Sequence, residues 1–172
     1  MSISVVILIT ILFVSIYYIT DKTEVNNSTS DEVVSETVFD ETFKLSMLLN
    51  KTTFALGEPV KIRLTLTNVR KENVTFVFLT RPNPSPYWFW RVYDENDRIV
   101  FYHEYVLMIP TLEEITLQPA ELMQGKYAWN QKDTNNEQQV PPGIYYPTAT
   151  VGFMYKGEEV LLETRIKICI EP

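Results

Sequence analysis

The stretch that most constrains the fold is the run of alternating apolar and polar residues at 60–68. Val60, Ile62, Leu64 and Leu66 are apolar, and the residues between and after them are Lys, Arg, Thr and Asn. Successive side chains of a β-strand point to opposite faces, so this pattern predicts a strand with one buried face and one solvated face. One strand cannot bury these side chains alone, and the chain must supply a second apolar sheet to cover them.

Similar alternation elsewhere predicts an all-β domain of about eight or nine strands, with no persuasive helix. Residues 43–50 and 74–78 both alternate, and a short polar link joins the second to residues 60–68, which indicates an antiparallel pair. The polar turn at 94–97 predicts a second hairpin, and Gly157 between two long apolar runs predicts a closing one. The expected fold class is an all-β, immunoglobulin-like antiparallel β-sandwich.

The amino-terminal stretch predicts a membrane segment ahead of this domain. Residues 2–20 carry no charged side chain, and about twenty helical residues are enough to cross a bilayer. Tyr17 and Tyr18 lie where aromatic residues favour the membrane interface, and no cleavage site with small residues follows them. We expect residues 1–20 to be a transmembrane helix or an uncleaved signal, crossing the membrane through residues 3–19. The domain is then expected on the extracytoplasmic side.

Residues 21–42 are predicted to be an acidic, disordered tether, because Ser, Thr, Asn, Asp and Glu dominate them. They contain seven acids and one lysine, so the formal net charge of −7 belongs almost wholly to this segment. Residues 43–172, the expected sandwich domain, are close to neutral. Because a nucleic-acid-binding domain needs a basic face, we expect no nucleic-acid partner.

The sequence contains no motif of a conventional enzyme. His103 and Cys169 are the only residues of their types, and neither has a recognisable catalytic partner along the chain. The oxygen-bearing side chains at 94–97 could hold calcium, but their spacing is not that of a calcium loop, and turns select the same residues for backbone reasons. We therefore expect no enzymatic activity, no cofactor and no metal site.

Two loops are candidates for contact with another protein. Residues 81–86 have proline at every second position, which keeps the chain extended and lowers the entropy cost of binding, although a plain connection between sheets is the structural alternative. Residues 131–142 form the second loop, and its polar part at 131–139 is expected to be the least structured part of the domain. The candidate binding residues in these two loops are Arg81, Pro82, Asn83, Pro84, Ser85, Pro86, Gln138, Gln139, Val140, Pro141 and Pro142.

The aromatic run Tyr87, Trp88, Phe89 and Trp90 has two interpretations. If it is exposed, it offers a stacking platform of the kind that binds sugars. In a domain without disulfides, such residues more often belong to the core, and that is the expectation here.

Several short motifs follow one another in a recognisable order and spacing. They are Gly57, Glu58, Pro59 and Val60, then Val92 and Asp94, then Leu117, Pro119, Glu121 and Trp129, and finally Pro142, Gly143 and Tyr145. Over about residues 43–155 this pattern resembles the BsuPI family, the intracellular proteinase inhibitor domain of bacilli and its relatives. The resemblance implies a β-sandwich and, by the family's name, inhibition of a protease. Phe89, Asp97 and Ala120 depart from the family's usual residues.

These features predict a membrane-tethered, non-enzymatic domain that binds another protein, with a protease as the specific candidate. The alternative is a cell-surface immunoglobulin-like structural or adhesion module, or an accessory subunit of an envelope complex. A sugar- or metal-binding domain is a third interpretation, which depends on exposure of the aromatic run or of the turn at 94–97.

Overall fold

The computed structural model describes residues 32–80, 88–102 and 111–172. Within these ranges no helix is long and apolar enough to cross a membrane, and residues 3–19 lie outside them. The described residues form β-strands joined by turns and loops. The strands are β1 (Val33–Phe39), β2 (Phe43–Leu49), β3 (Thr53–Ala55), β4 (Val60–Asn68), β5 (Val74–Thr80), β6 (Phe89–Asp94), β7 (Ile99–Tyr102), β8 (Thr111–Leu117), β9 (Leu122–Trp129), β10 (Gly143–Tyr155), β11 (Glu158–Arg165) and β12 (Ile168–Glu171).

The strands form two sheets. The four-stranded sheet has the order β1-β2-β4-β9. The eight-stranded sheet follows the path β3-β12-β10-β5-β8, with β6 and β11 also paired to β10 and β7 paired to β6. Among the described strands, all pairs are antiparallel except β3 with β12, which is parallel. The prediction of an all-β fold with antiparallel sheets is confirmed, apart from that one pair.

Strand β4 has the two faces that its sequence predicts. Val60, Ile62, Leu64 and Leu66 are at most 2% exposed, and the charged residues between them face solvent. In the Cα register Met47 of β2 lies opposite Leu64, so the neighbouring strand continues the same apolar face. This face is one wall of the core.

The second wall comes from the eight-stranded sheet. The ring of Phe43 in β2 lies 5.1 Å from that of Phe76 in β5 and 4.7 Å from that of Phe153 in β10, measured between centroids. Edge-to-face aromatic pairs at such distances stabilise a core beyond the burial of their area. The two sheets therefore pack face to face around one hydrophobic core, as in a β-sandwich.

The structure corrects the boundary of the predicted tether. Residues 33–39, placed within the tether at 21–42, form β1 and pair along their whole length with β2. The composition of residues 33–39 does not indicate a strand with a buried face, because the polar residues Ser35 and Thr37 occupy its buried positions. The hydroxyl of Thr164 in β11 donates to that of Ser35 at 2.8 Å, and Thr37 donates to the carbonyl of Glu163 at 2.6 Å. Residues 21–31 lie outside the described ranges.

The predicted antiparallel pair of residues 60–68 and 74–78 is wrong. Strand β5 pairs with β8 and β10 in the eight-stranded sheet, whereas β4 belongs to the four-stranded one. Both strands are strongly apolar on one side, and crossing between the sheets lets each direct that side into the shared core. The polar link is a crossover and not a hairpin turn.

The two other predicted hairpins are confirmed. Strands β6 and β7 pair around a turn in which Asp97 has a φ of 57°. Strands β10 and β11 pair around Lys156 and Gly157, which have φ values of 53° and 82°. The final apolar run is interrupted after Arg165, and β12 then pairs with the beginning of β10.

Candidate functional site

The loop at residues 131–142, between β9 and β10, has a fixed base. The side chain of Gln131 is fully buried, and its Nε2 donates to the carbonyls of Ala55 (2.9 Å) and Glu58 (2.7 Å). Its Oε1 accepts from the backbone N–H of Gly57 at 2.7 Å. The N–H of Val140 closes the base by donating to the carbonyl of Gln131 at 2.8 Å. Gln131 thus ties the loop to the turn that precedes β4 through its side chain, and it joins the two ends of the loop through its backbone carbonyl.

Asp133 organises the part of the loop above this base. It is only 6% exposed, and its Oδ1 accepts from both the backbone N–H and the side-chain Nδ2 of Asn135 at 2.8 Å. Its own N–H donates to the carbonyl of Gln138 at 2.9 Å, and the N–H of Thr134 donates to that of Val100 in β7 at 2.8 Å. The expectation that this loop is the least structured part of the domain is therefore wrong.

The candidate binding residues of this loop divide into an exposed set and a buried one. Residues 135–139 are exposed, with 135–137 at the tip. Gln138 and Gln139 lie on the returning arm, where the carbonyl of Gln138 accepts from the N–H of Asp133 and Gln139 pairs with Lys132. Pro141 and Pro142 are also exposed. Val140 is 3% exposed and packs in the core, so its side chain is excluded as a contact. The sequence of this polar loop does not indicate that Gln131 and Asp133 are the buried residues that order it.

The other candidate loop lies outside the described residues, as do Tyr87 and His103. Its residues are Arg81, Pro82, Asn83, Pro84, Ser85 and Pro86. Cys169 lies in β12 and is half-buried.

The tryptophans of the aromatic run belong to the core. Trp88 is 1% exposed and Trp90 is 2% exposed. The rings of Trp90 and Phe101 lie 4.6 Å apart, and those of Trp129 and Tyr145 lie 5.5 Å apart, between centroids. Neither Trp88 nor Trp90 can serve as a stacking platform for a sugar, and the core interpretation is confirmed for both.

The turn at 94–97 uses its carboxylate for its own structure. Oδ1 of Asp94 accepts from the backbone N–H groups of Asn96 (2.9 Å) and Arg98 (3.0 Å), and Oδ2 accepts from Nε of Arg98 at 3.0 Å. Burial raises the pKa of Asp94, but these three hydrogen bonds outweigh it and hold that pKa below its ordinary value. In the described ranges no group of three His, Cys, Asp or Glu side chains could hold a metal ion.

This depressed pKa predicts a pH-dependent contribution of Asp94 to stability. The ionised form is favoured in the folded state, so its contribution is complete above the unfolded pKa of about 3.9 and is lost as the pH falls through the folded pKa. We expect Asp94→Asn to cost about 1 kcal/mol of unfolding free energy near neutral pH. The difference in unfolding free energy between Asp94→Asn and the wild type should become smaller below about pH 4.

Urea denaturation across this pH range measures the effect of Asp94→Asn. Glu95→Gln is the matched control, because the exposed neighbour Glu95 has no ion pair with the described residues, and it should give a small difference at every pH. A deficit for Asp94→Asn that stays constant from neutral to acid pH would contradict the assignment.

Comparisons with known proteins identify no family. No family model matches the chain, and no curated protein matches it. Among solved structures, the chain is similar to a D270A mutant of a β-glucosidase from Listeria innocua in complex with laminaribiose, at a TM-score of 0.40 and 14% identity. That match covers 76% of this chain and 16% of the β-glucosidase.

Two further solved structures have a similar level of likeness. The C-terminal domain of wzt has a TM-score of 0.39 and 7% identity, covering 72% of this chain and 65% of that one. The sporulation control protein Spo0M from Bacillus subtilis has a TM-score of 0.39 and 15% identity, covering 76% of this chain and 50% of its own. Similarities at this level do not identify an activity, a ligand or a partner.

Proposed function

We propose that this chain is a membrane-tethered, non-enzymatic protein-binding domain, and that its partner is a protease, as the BsuPI resemblance implies. In this proposal residues 3–19 cross the membrane as a helix. They hold an immunoglobulin-like sandwich on the extracytoplasmic side. The loop at 131–142 contacts the partner, with the proline-rich residues 81–86 as a second contact.

The observation that carries this proposal is the combination of an exposed tip and a fixed base in the loop at 131–142. Binding orders the side chains and loops of an interface, and each ordered group costs free energy. Here the tip residues 135–137 and the adjoining Gln138 and Gln139 are exposed, while Gln131 and Asp133 already hold the backbone of the loop. The loop is therefore ordered before a partner arrives, which lowers the cost of binding.

Protease inhibition adds a second physical requirement to simple binding. A loop bound in a protease cleft is cut if its backbone can adapt to the catalytic geometry. Hydrogen bonds from Asp133 and Thr134 to groups across the loop and in β7 oppose such adaptation. The same rigidity that favours binding therefore also protects the loop from digestion.

Titration of a protein comprising residues 32–172 against a panel of purified proteases tests this proposal. We expect saturable inhibition of at least one protease, with the domain remaining intact. Gln138→Arg places a bulky charge at an exposed position beside the tip and should weaken that inhibition by about tenfold or more, in line with the loss of a central interface contact. No inhibition at any dose, together with digestion of the domain, would contradict the inhibitor function.

The matched control is Gln118→Arg, which makes the same change at another exposed glutamine. It should leave inhibition unchanged, since Gln118 lies in the turn between β8 and β9. Equal losses of inhibition for the two variants would show that the added charge weakens inhibition wherever it is placed, and would contradict a specific role for the loop at 131–142. A stable complex with a partner that is not a protease, isolated from membranes, would support the surface-module alternative.

The membrane part of the proposal has its own test. The full chain should stay with the membrane pellet during alkaline carbonate extraction, and a chain beginning at Glu32 should be released. Release of both would contradict the anchor without bearing on what the loop at 131–142 binds.

A further inference from the structure

Three cations cluster on the outer face of the four-stranded sheet. Arg63 in β4 lies directly opposite Lys126 in β9, and Lys61 is two residues from Arg63 on the same face. These three residues are called the basic face below, and Lys126 is more than sixty positions from the other two in sequence. Only the register of β4 against β9 brings them together.

Ion pairing is uneven among the cations of the described residues. Lys44, Lys51, Arg70, Arg98 and Arg165 each form an ion pair with an acid, whereas others, including Lys71 and Lys156, form none. Within the part of the chain that the structure describes, no acid forms such a pair with a cation of the basic face.

This arrangement has a cost within the isolated domain. Like charges directly opposite each other on antiparallel strands are destabilising. Arg63 and Lys126 stand in that relation, with Leu48 on the far side of Arg63 in the same row. A negatively charged partner would turn this repulsion into attraction, so the arrangement suits a surface that is covered by an anionic group.

The surface around these cations is concave and partly apolar. The basic face lines a groove of about 510 Å³. Leu48 and Ala128 supply apolar walls, and Glu32 is the one acid among the described residues that line it. A groove of this kind fits a narrow chain with both carboxylates and apolar atoms better than it fits the flat plane of a lipid bilayer.

We infer that the basic face binds an acidic segment of a partner protein. This inference rests on the proposed function, because it gives the same protein-binding domain a further contact surface. Carboxylates of the segment would pair with Arg63, Lys126 and Lys61, and its methylene groups would contact Leu48 and Ala128. Since the cations are exposed, the interaction should be modest in strength and sensitive to salt.

Fluorescence anisotropy with a labelled oligoglutamate peptide and residues 32–172 tests the inference. We expect saturable binding at peptide or protein concentrations up to about 1 mM, weakened as the salt concentration rises from about 0.05 to 0.5 M. The double variant Arg63→Gln with Lys126→Gln should bind about five- to tenfold more weakly. It should be at least as stable as wild type, because it removes a like-charge pair.

The control variant is Lys71→Gln with Lys156→Gln, which removes the same charge from exposed positions away from the groove. It should keep wild-type affinity for the peptide. Absence of binding at low salt, or equal losses in both double variants, would overturn the inference. Binding of phosphatidylglycerol vesicles without binding of oligoglutamate would also overturn it, in favour of a lipid surface.

Failure of this inference can be told apart from failure of the proposed function. The Gln138→Arg variant reports on the loop at 131–142, and the Arg63→Gln, Lys126→Gln variant reports on the basic face. Protease inhibition that responds only to the first would leave the proposed function standing and assign the basic face no role in that complex. Peptide binding that is weakened only by the Arg63→Gln, Lys126→Gln variant, without inhibition of any protease, would support the basic face as a binding surface and contradict the inhibitor function.

Discussion

A chain shortened to begin at Phe43 is expected to be unfolded or aggregated, whereas one that begins at Glu32 should fold. The shorter chain lacks β1, which pairs with β2 along residues 33–39. Phe43, Leu45 and Met47 of β2 are fully buried in the intact domain, and β2 would become an unprotected edge. Loss of a complete strand costs several kcal/mol, a large share of the roughly 5–15 kcal/mol that stabilise a typical domain.

The polar contacts of β1 add to this effect. Without β1, the hydroxyl of Thr164 loses Ser35 as its acceptor, and the carbonyl of Glu163 loses the hydroxyl of Thr37. Leaving a buried polar group unpaired costs about 1–3 kcal/mol. Far-ultraviolet circular dichroism and urea denaturation of the two chains measure the difference. The same unfolding midpoint for both would contradict an integral role for β1.

The second large effect is expected at Asn68, the last residue of β4. Its side chain is fully buried, and Nδ2 lies 2.8 Å from the carbonyl of Glu72 and 3.0 Å from that of Leu117. Oδ1 accepts from the backbone N–H of Arg70 at 2.9 Å. One amide therefore holds the crossover from β4 to β5 against the end of β8.

Replacing this amide should be costly, because neither alanine nor an ionised aspartate can donate a hydrogen bond to the carbonyls. Asn68→Ala leaves these backbone groups unpaired and should lower the unfolding free energy by about 2–4 kcal/mol. Asn68→Asp should cost still more at neutral pH, because it points a carboxylate oxygen at carbonyl oxygens. Part of that loss should return in acid, since a protonated carboxyl can donate one hydrogen bond.

Urea denaturation of the two variants tests this order, with Asn73→Asp as the matched control. Asn73 is exposed in the same link, so its substitution should change the unfolding free energy by about 0.5 kcal/mol or less. Should Asn68→Asp prove as stable as wild type at neutral pH, the proposed role of the amide would be wrong.

Local alternation predicted the strands that bury apolar residues on one side. β2, β4 and the two hairpins follow their patterns because a period of two in sequence is the geometry of a strand. Alternation does not reveal β1, because its buried positions include the polar residues Ser35 and Thr37. Those residues are tolerated inside because their partners, Thr164 and the carbonyl of Glu163, come from a strand that is distant in sequence.

The loop at 131–142 was predicted in position and not in structure. The sequence indicated a polar loop there, and Gln138 and Gln139 are exposed in it. Its order depends on partners at Ala55, Gly57, Glu58 and Val100, which no local pattern connects to the loop. The burial of Val140 follows from the same closure of the loop base.

By itself the sequence determined the all-β class, the two faces of β4 and the places where the chain turns, because each depends on neighbouring residues alone. Only the tertiary structure decided that β5 joins the other sheet, that Gln131 orders the loop, and that Arg63 meets Lys126. These outcomes depend on which distant segments share a core and in what register. That choice belongs to the packing of the whole domain, in which apolar faces must cover one another and buried polar groups must find partners.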